Sequence, residues 1–148
     1  MKIDFIPKNP DFIKTIKKKL EKQFFMHHLQ IDLQKIEAGY IEIDFTQQEF
    51  HLQQHGFLHG GVIATLHDVA AGFAAFSLAA ADEAVVTADL RVSYLLPGTS
   101  SFYKVKGWVI KPGNMLYFCE SEVWSIENEK QTLISKSSST MAVVKIVK

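Results

Sequence analysis

The stretch GGVIATLHDVAAGFAAFSLAAA, residues 60–81, decides the fold. Apart from His67 and Asp68 it is apolar or small nearly all round, with no polar stripe to face water. Such a segment reads as one long helix, and a helix apolar on every side is surrounded rather than laid on a surface. Lipid is excluded as the surround: the segment is alanine-rich and leucine-poor, and a carboxylate near its middle costs roughly 3 kcal/mol on insertion scales. The alanines and Gly72 suit close approach by a sheet.

Downstream, the chain supplies that sheet. Residues 84–96 alternate, with Val86, Ala88, Leu90, Val92 and Tyr94 expected on one face and Thr87, Asp89, Arg91 and Ser93 on the other. Pro97-Gly98 ends this strand. Strands over 102–110, 116–126 and 132–144 follow, separated by the turns Pro112-Gly113-Asn114 and Glu127-Asn128-Glu129-Lys130. Upstream, residues 29–38 and 40–45 read as a hairpin turning at Gly39, with Ile41, Ile43 and Phe45 inward. Residues 46–58 are polar and read as a loop that places His51 and His55 at the surface. Strands joined by short turns give an antiparallel sheet. An α+β fold follows, with one curved antiparallel sheet wrapped around one long central helix.

A further helix is expected at the N-terminus, residues 10–26. Asp11 can cap it, and Phe12, Ile13, Ile16, Leu20 and Phe24 recur near helical spacing. Residues 1–22 hold seven lysines against three acids, a net +4, so the remainder carries −4. The lysines fit a solvated face, or a surface for anionic ligands or membranes.

With 148 residues and 47% hydrophobic composition, the chain suits one domain over 1–148. Lys+Arg 16 balances Asp+Glu 16, so no global field points to nucleic acid, and little charge keeps copies apart. Cys119 is the lone cysteine, which excludes an internal disulfide and any site needing several thiolates. The six histidines match no common zinc spacing. Residues 1–16 lack the apolar core of a signal peptide, so a cytoplasmic setting is expected.

The chemistry is expected where loop meets helix: Gln53, Gln54, His55, Gly56, Phe57, Leu58, His59, Gly60, Gly61, and then Asp68. A helix start offers unpaired N–H groups and positive dipole, and bare glycines admit close approach by a phosphate, a carbonyl or an oxyanion. Asp68, a carboxylate inside an alanine-rich helix, is expensive unless it is paired or useful. It can serve as nucleophile or as general base on water. Gly60 and Asp68 are eight residues apart, roughly 12 Å along a helix. One chain therefore does not bring both to one carbonyl, whereas two antiparallel helices across a two-fold axis do. His67 faces about 100° away from Asp68 and reads as structural. No G-x-S-x-G elbow is present, and Cys119 has no histidine nearby in sequence.

HGFLHGGVIATLHDVAAG followed by VVTADLRVSYLLPG resembles the PaaI-like branch of the hotdog-fold acyl-CoA thioesterases, related to the 4-hydroxybenzoyl-CoA thioesterases; the likeness covers about residues 10–145. The resemblance implies the hotdog fold and a homodimer with its site at the interface, often a homotetramer as a dimer of dimers. It implies hydrolysis of an acyl-CoA to free acid and CoA, with no cofactor beyond coenzyme A as part of the substrate. Residue by residue, it implies that His59 shapes the loop and that the Gly60 N–H polarises the carbonyl, with Gly61 beside it. Asp68 is then nucleophile or base, and Thr87 and Gln53 position water. Gln53 stands where many members have Asn. Pro112-Gly113-Asn114 stands where many have Gly-Arg, so the basic contact to CoA is expected elsewhere, at Lys104, Lys106, Lys111, Arg91 or the Lys136-Ser137-Ser138 stretch. An acyl pocket is expected from Phe57, Phe73, Phe76 and the Leu95 region. The competing readings are an acyl-thioester hydratase or dehydratase, and a non-catalytic acyl-CoA-binding module.

Overall fold

A computed structural model describes residues 4–147; Met1–Ile3 and Lys148, the ends of the expected 1–148 domain, lie outside the described residues. In chain order the elements are α1 (Phe12–Leu20), α2 (Phe24–Leu29), β1 (Asp32–Glu37), β2 (Tyr40–Thr46), a 3-10 turn (Glu49–His51), α3 (Gly60–Phe76), β3 (Glu83–Tyr94), β4 (Phe102–Pro112), β5 (Leu116–Glu127) and β6 (Lys130–Lys145). The strands form one antiparallel sheet in the order β1-β2-β4-β5-β6-β3, folded around α3 as expected of a hotdog.

Alternation decides which side of the sheet meets α3. Ile41, Ile43 and Phe45 of β2, Tyr103, Val105 and Val109 of β4, and Tyr117, Cys119 and Val123 of β5 are buried against it. Helix and sheet touch most closely at Gly107. A Cβ there would lie 2.5 Å from the carbonyl carbon of Ala70, so only glycine lets β4 and α3 approach. The turn glycine of the first hairpin, Gly39, has φ +75°, the left-handed conformation its position requires.

Four expectations are corrected. The N-terminal helix breaks into α1 and α2 at residues 21–23, where the Lys22 and Gln23 N–H groups turn back three residues to the Lys19 and Leu20 carbonyls, and Ile16 and Met26 are buried on the two pieces. Phe24 is accordingly 73% exposed and leaves the apolar stripe. Asp11 precedes α1 but its side chain caps nothing; the Asn9 side chain instead accepts the Asp11 N–H at 3.0 Å and donates to Thr15 Oγ1. The central helix stops at Phe76 rather than 81. There Ser77 Oγ donates back to the Ala74 carbonyl at 2.6 Å and accepts the Gly39 N–H at 2.7 Å, tying the helix end to the hairpin. The first strand begins at Asp32 rather than 29, since Leu29 closes α2.

α3 is not surrounded within one chain. Gly61, Thr65, Asp68, Gly72 and Phe76, spaced three or four apart, form a stripe that the sheet does not fully cover.

Candidate active site

Asp68 projects from this open stripe and is half-buried. Thr87 Oγ1 donates to Asp68 Oδ1 at 2.6 Å and lies 3.5 Å from Met141 Sδ. The expected strand alternation puts Thr87 on the polar face, and this is corrected. A β-bulge between Thr87 and Asp89 inserts Ala88 as an extra residue, so the alternation changes side. Thr87 pairs with the inward-facing Met141, while Leu90, Val92 and Tyr94 pair with the inward-facing Ser139, Ser137 and Ser135. Val86, 51% exposed, falls on the opposite face from Thr87. Without the bulge, the hydroxyl that holds Asp68 would point away from the helix.

Asp68 and Thr87 line a partly open groove of about 260 Å³, whose walls mix the apolar Met26, Val69, Phe73, Phe76 and Met141 with the polar Lys19 and Gln23. Phe73 and Phe76 line it as expected; Phe57 and Leu95 do not, being exposed elsewhere on this chain. α1 and α2 contribute Lys19, Gln23 and Met26, which local sequence gave no reason to place there.

The second group lies at the start of α3. The His59 ring accepts the Gly61 N–H at Nδ1, 2.8 Å, so that amide serves the cap. The Gly60 N–H has no acceptor among the described residues. Tyr94 Oη donates to the Gly60 carbonyl at 2.8 Å and pins the helix start to β3. Tyr94 is a site residue the sequence reasoning passed over, although it stands in the quoted strand motif. Gln53 lies in the loop before the helix, where its backbone N–H donates to Phe57 and its side chain accepts the His55 N–H. The Gly60 and Asp68 groups are separated by eight helical residues, roughly 12 Å. One chain therefore keeps the Gly60 amide and the Asp68 carboxylate apart along α3.

The other expected residues separate by face. Ser137 is buried and its Oγ lies 2.6 Å from Ser121 Oγ, so it is unavailable to a substrate on this chain. Lys136 pairs with Glu122 at 3.6 Å on the outer side of the sheet, and Ser138 shares that side. Lys104 pairs there with Asp44 at 3.4 Å. Arg91 and Lys111 are exposed, and Lys106 is half-buried.

His67 is structural, as the sequence reading had it. It is 0% exposed, with Nδ1 2.6 Å from Ser121 Oγ and Nε2 2.8 Å from Ser135 Oγ, and burial pushes it down to about 4. Because it precedes Asp68 by one residue, this clamp fixes the rotation of α3 that turns Asp68 toward Thr87. His51 is not at the surface: it is 0% exposed, accepts the Gln48 N–H at 2.9 Å and reaches the Leu29 carbonyl at 2.7 Å. Burial pushes the Cys119 thiol up to about 12, which removes it as a nucleophile.

Comparison with known proteins gives a consistent picture. Residues 55–132 match the family described as the thioesterase superfamily. The chain is 27% identical over 146 residues to the medium/long-chain acyl-CoA thioesterase YigI of Salmonella typhimurium, covering 84% of this chain and 92% of that protein. A thioesterase family protein from Silicibacter pomeroyi superposes with a TM-score of 0.88 at 26% identity, over 90% of this chain and 98% of the other. The PaaI protein of E. coli shares the fold at TM-score 0.81 and 18% identity, over 93% and 96% of the two chains. Among the described residues no helix is long and apolar enough to cross a membrane.

Proposed function

The chain belongs to the thioesterase superfamily, and from that premise we propose that it hydrolyses acyl-CoA thioesters in the cytoplasm, as a homodimer whose site is shared between two copies. The observation that carries the reading is the Asp68 carboxylate, oriented by the Thr87 hydroxyl at 2.6 Å in a groove that Phe73, Phe76, Val69 and Met141 also line. Those side chains suit a fatty or aromatic acyl group. A carboxylate among them suits attack on the carbonyl carbon, or removal of a proton from water that attacks in its place.

The thioester carbonyl oxygen rests on the Gly60 N–H of the other copy. Charge collects there as the carbonyl carbon becomes tetrahedral, and a donor of this kind is worth roughly 10²–10³ in rate. The C–S bond then breaks. Thiols titrate near 8.5, so the CoA thiolate departs without a strong acid beside it. In the nucleophilic route water attacks the Asp68 carbonyl carbon of the resulting anhydride, leaving its oxygen on Asp68 and releasing the acid; in the base route the acid forms directly. Thr87 and Gln53 steer the water. The reaction takes no cofactor, coenzyme A being part of the substrate. Of the expected cations, Arg91, Lys106 and Lys111 form no ion pair among the described residues, and the exposed Arg91 and Lys111 are offered to its phosphates.

A shared site agrees with the edges of the sheet. β3 spans 12 residues and pairs only with β6, leaving its other edge open, and a long open edge invites a second strand. Antiparallel pairing of β3 with its copy sets the two α3 stripes side by side and running oppositely, which brings one Asp68 toward the other Gly60. Pairing of such dimers into a tetramer is part of the same proposal.

The hydratase reading needs a histidine free to move a proton. His67 is clamped by serines and His59 is occupied by its cap, so hydrolysis fits better.

The test is Asp68→Asn, which keeps shape and removes charge. Thiol release from a panel of acyl-CoA esters is expected to fall on the order of 10³–10⁴-fold with folding unchanged. Wild-type turnover in the variant would remove the mechanism, and tight ester binding by a wild-type protein that cleaves none would favour the binding module. Single turnover in ¹⁸O-water separates the two routes, since only the nucleophilic one leaves label in Asp68.

A further inference from the structure

We infer that the groove leading away from Asp68 is a slot of fixed length for a straight acyl chain of medium size, and that Gly72 is the residue that keeps it open. The inference rests on the hydrolase reading, which puts the thioester at the Asp68 end.

Two rulers give the slot one length. Along α3, Asp68 and Phe76 are eight residues apart, about 12 Å. Along β3, on the opposite wall, Thr87 and Ala84 are three residues apart, about 10 Å. Phe76 lines the groove eight residues beyond Asp68, with Lys19 Nζ lying 5.1 Å from the ring centroid. A chain that reaches this point meets an ammonium group and solvent instead of hydrocarbon.

Gly72 stands one helical turn beyond Asp68 on the same open stripe and lines the slot. Glycine inside a helix is costly, because it gives up backbone freedom that alanine does not have. Crowding does not demand it here: a Cβ built at Gly72 meets no atom within 4 Å, whereas one at Gly107 collides with Ala70 at 2.5 Å. The space that a side chain at 72 would fill is the slot itself. Its absence widens the passage beside Phe73 about halfway along the slot, roughly 6 Å from Asp68, where about the fourth or fifth carbon of the chain would lie.

The experiment measures binding of non-hydrolysable thioether analogues of acyl-CoA, from acetyl to hexadecyl, alongside cleavage of the matching thioesters. In the wild-type protein affinity is expected to rise roughly threefold to fourfold per methylene and to level off between octyl and decyl. In Gly72→Leu it levels off by about butyl, with a loss of tenfold or more for octyl and little change for acetyl. Gly72→Ala lies between them and melts no lower than wild type, which separates a blocked slot from a damaged fold. The inference is overturned if Gly72→Leu keeps the wild-type length profile, or if affinity keeps climbing to hexadecyl. Thioethers that follow the expected profile while no thioester is cleaved would leave the slot and remove the hydrolase. Thioesters cleaved with a profile that Gly72→Leu does not move would do the reverse.

Discussion

His67 shows how one side chain can cost stability in one range of pH and none in another. It is buried among Ser121 and Ser135, and burial pushes it down to about 4, against about 6.5 in an unfolded chain. Above pH 6.5 both states hold it neutral and stability is full. As pH falls toward 4, the unfolded chain takes up a proton that the folded one refuses, so stability drops at up to about 1.4 kcal/mol per pH unit, on the order of 3 kcal/mol in all. Urea midpoints at pH 7, 5.5 and 4.5 are expected to fall accordingly, and His67→Gln, though less stable at pH 7, is expected to flatten the part of the slope between pH 6.5 and 4. At this scale the sequence was informative where the reason is local. Asp68 was conspicuous because a carboxylate in an alanine helix has no bland explanation, and His67 was legible from its angle to Asp68. His51 was not legible, because only its Gln48 contact is local and the Leu29 carbonyl that holds Nε2 is 22 residues away. The serines that hold His67 come from β5 and β6, and only the folded sheet brings them together.

Element boundaries came within two residues where turn residues marked them, as at Gly39, at Pro97-Gly98, where β3 stops at Tyr94 rather than 96, and at the β4–β5 turn, where β4 runs to Pro112 rather than 110. They slipped where tertiary packing decided. Ile16 and Met26 are buried on either side of the break between α1 and α2, and no pattern within the segment announces it. The close approach of α3 to β4 likewise rests on Gly107, which reads in sequence as a weakness in a strand. Gly107→Ala is expected to force helix and sheet apart and to cost about 1–3 kcal/mol or more, measured as a lower denaturation midpoint. Gly113→Ala offers no clean control, since its Cβ would meet the Leu116 carbonyl oxygen at 2.6 Å; Gly72→Ala does, as the two glycines differ in what surrounds them.

For the whole molecule, the apolar helix followed by a meander of strands was enough to specify one sheet around one helix. What the single chain leaves open is the stripe from Gly61 to Phe76, the face on which the proposed shared site would be completed. Gly60→Pro deletes the N–H and keeps the fold, because proline is well accepted at the first helical position and His59, at φ −61° and ψ 135°, already has the extended backbone that must precede it. Asp68→Ala and Gly60→Pro proteins are each expected to be inactive. Unfolded and refolded together, they are expected to recover about a quarter of wild-type activity, because half the dimers then hold one intact site of two. No recovery would mean that each chain works alone. The bulge at Ala88 bears on how such a protein can change. It acts as a phase shifter: an insertion or deletion of one residue at that position would turn Thr87 and Tyr94 to opposite sides of the sheet, and two functional contacts would become mutually exclusive. Sequence drift in this strand is therefore confined to substitution, and a length change there would have to come in pairs.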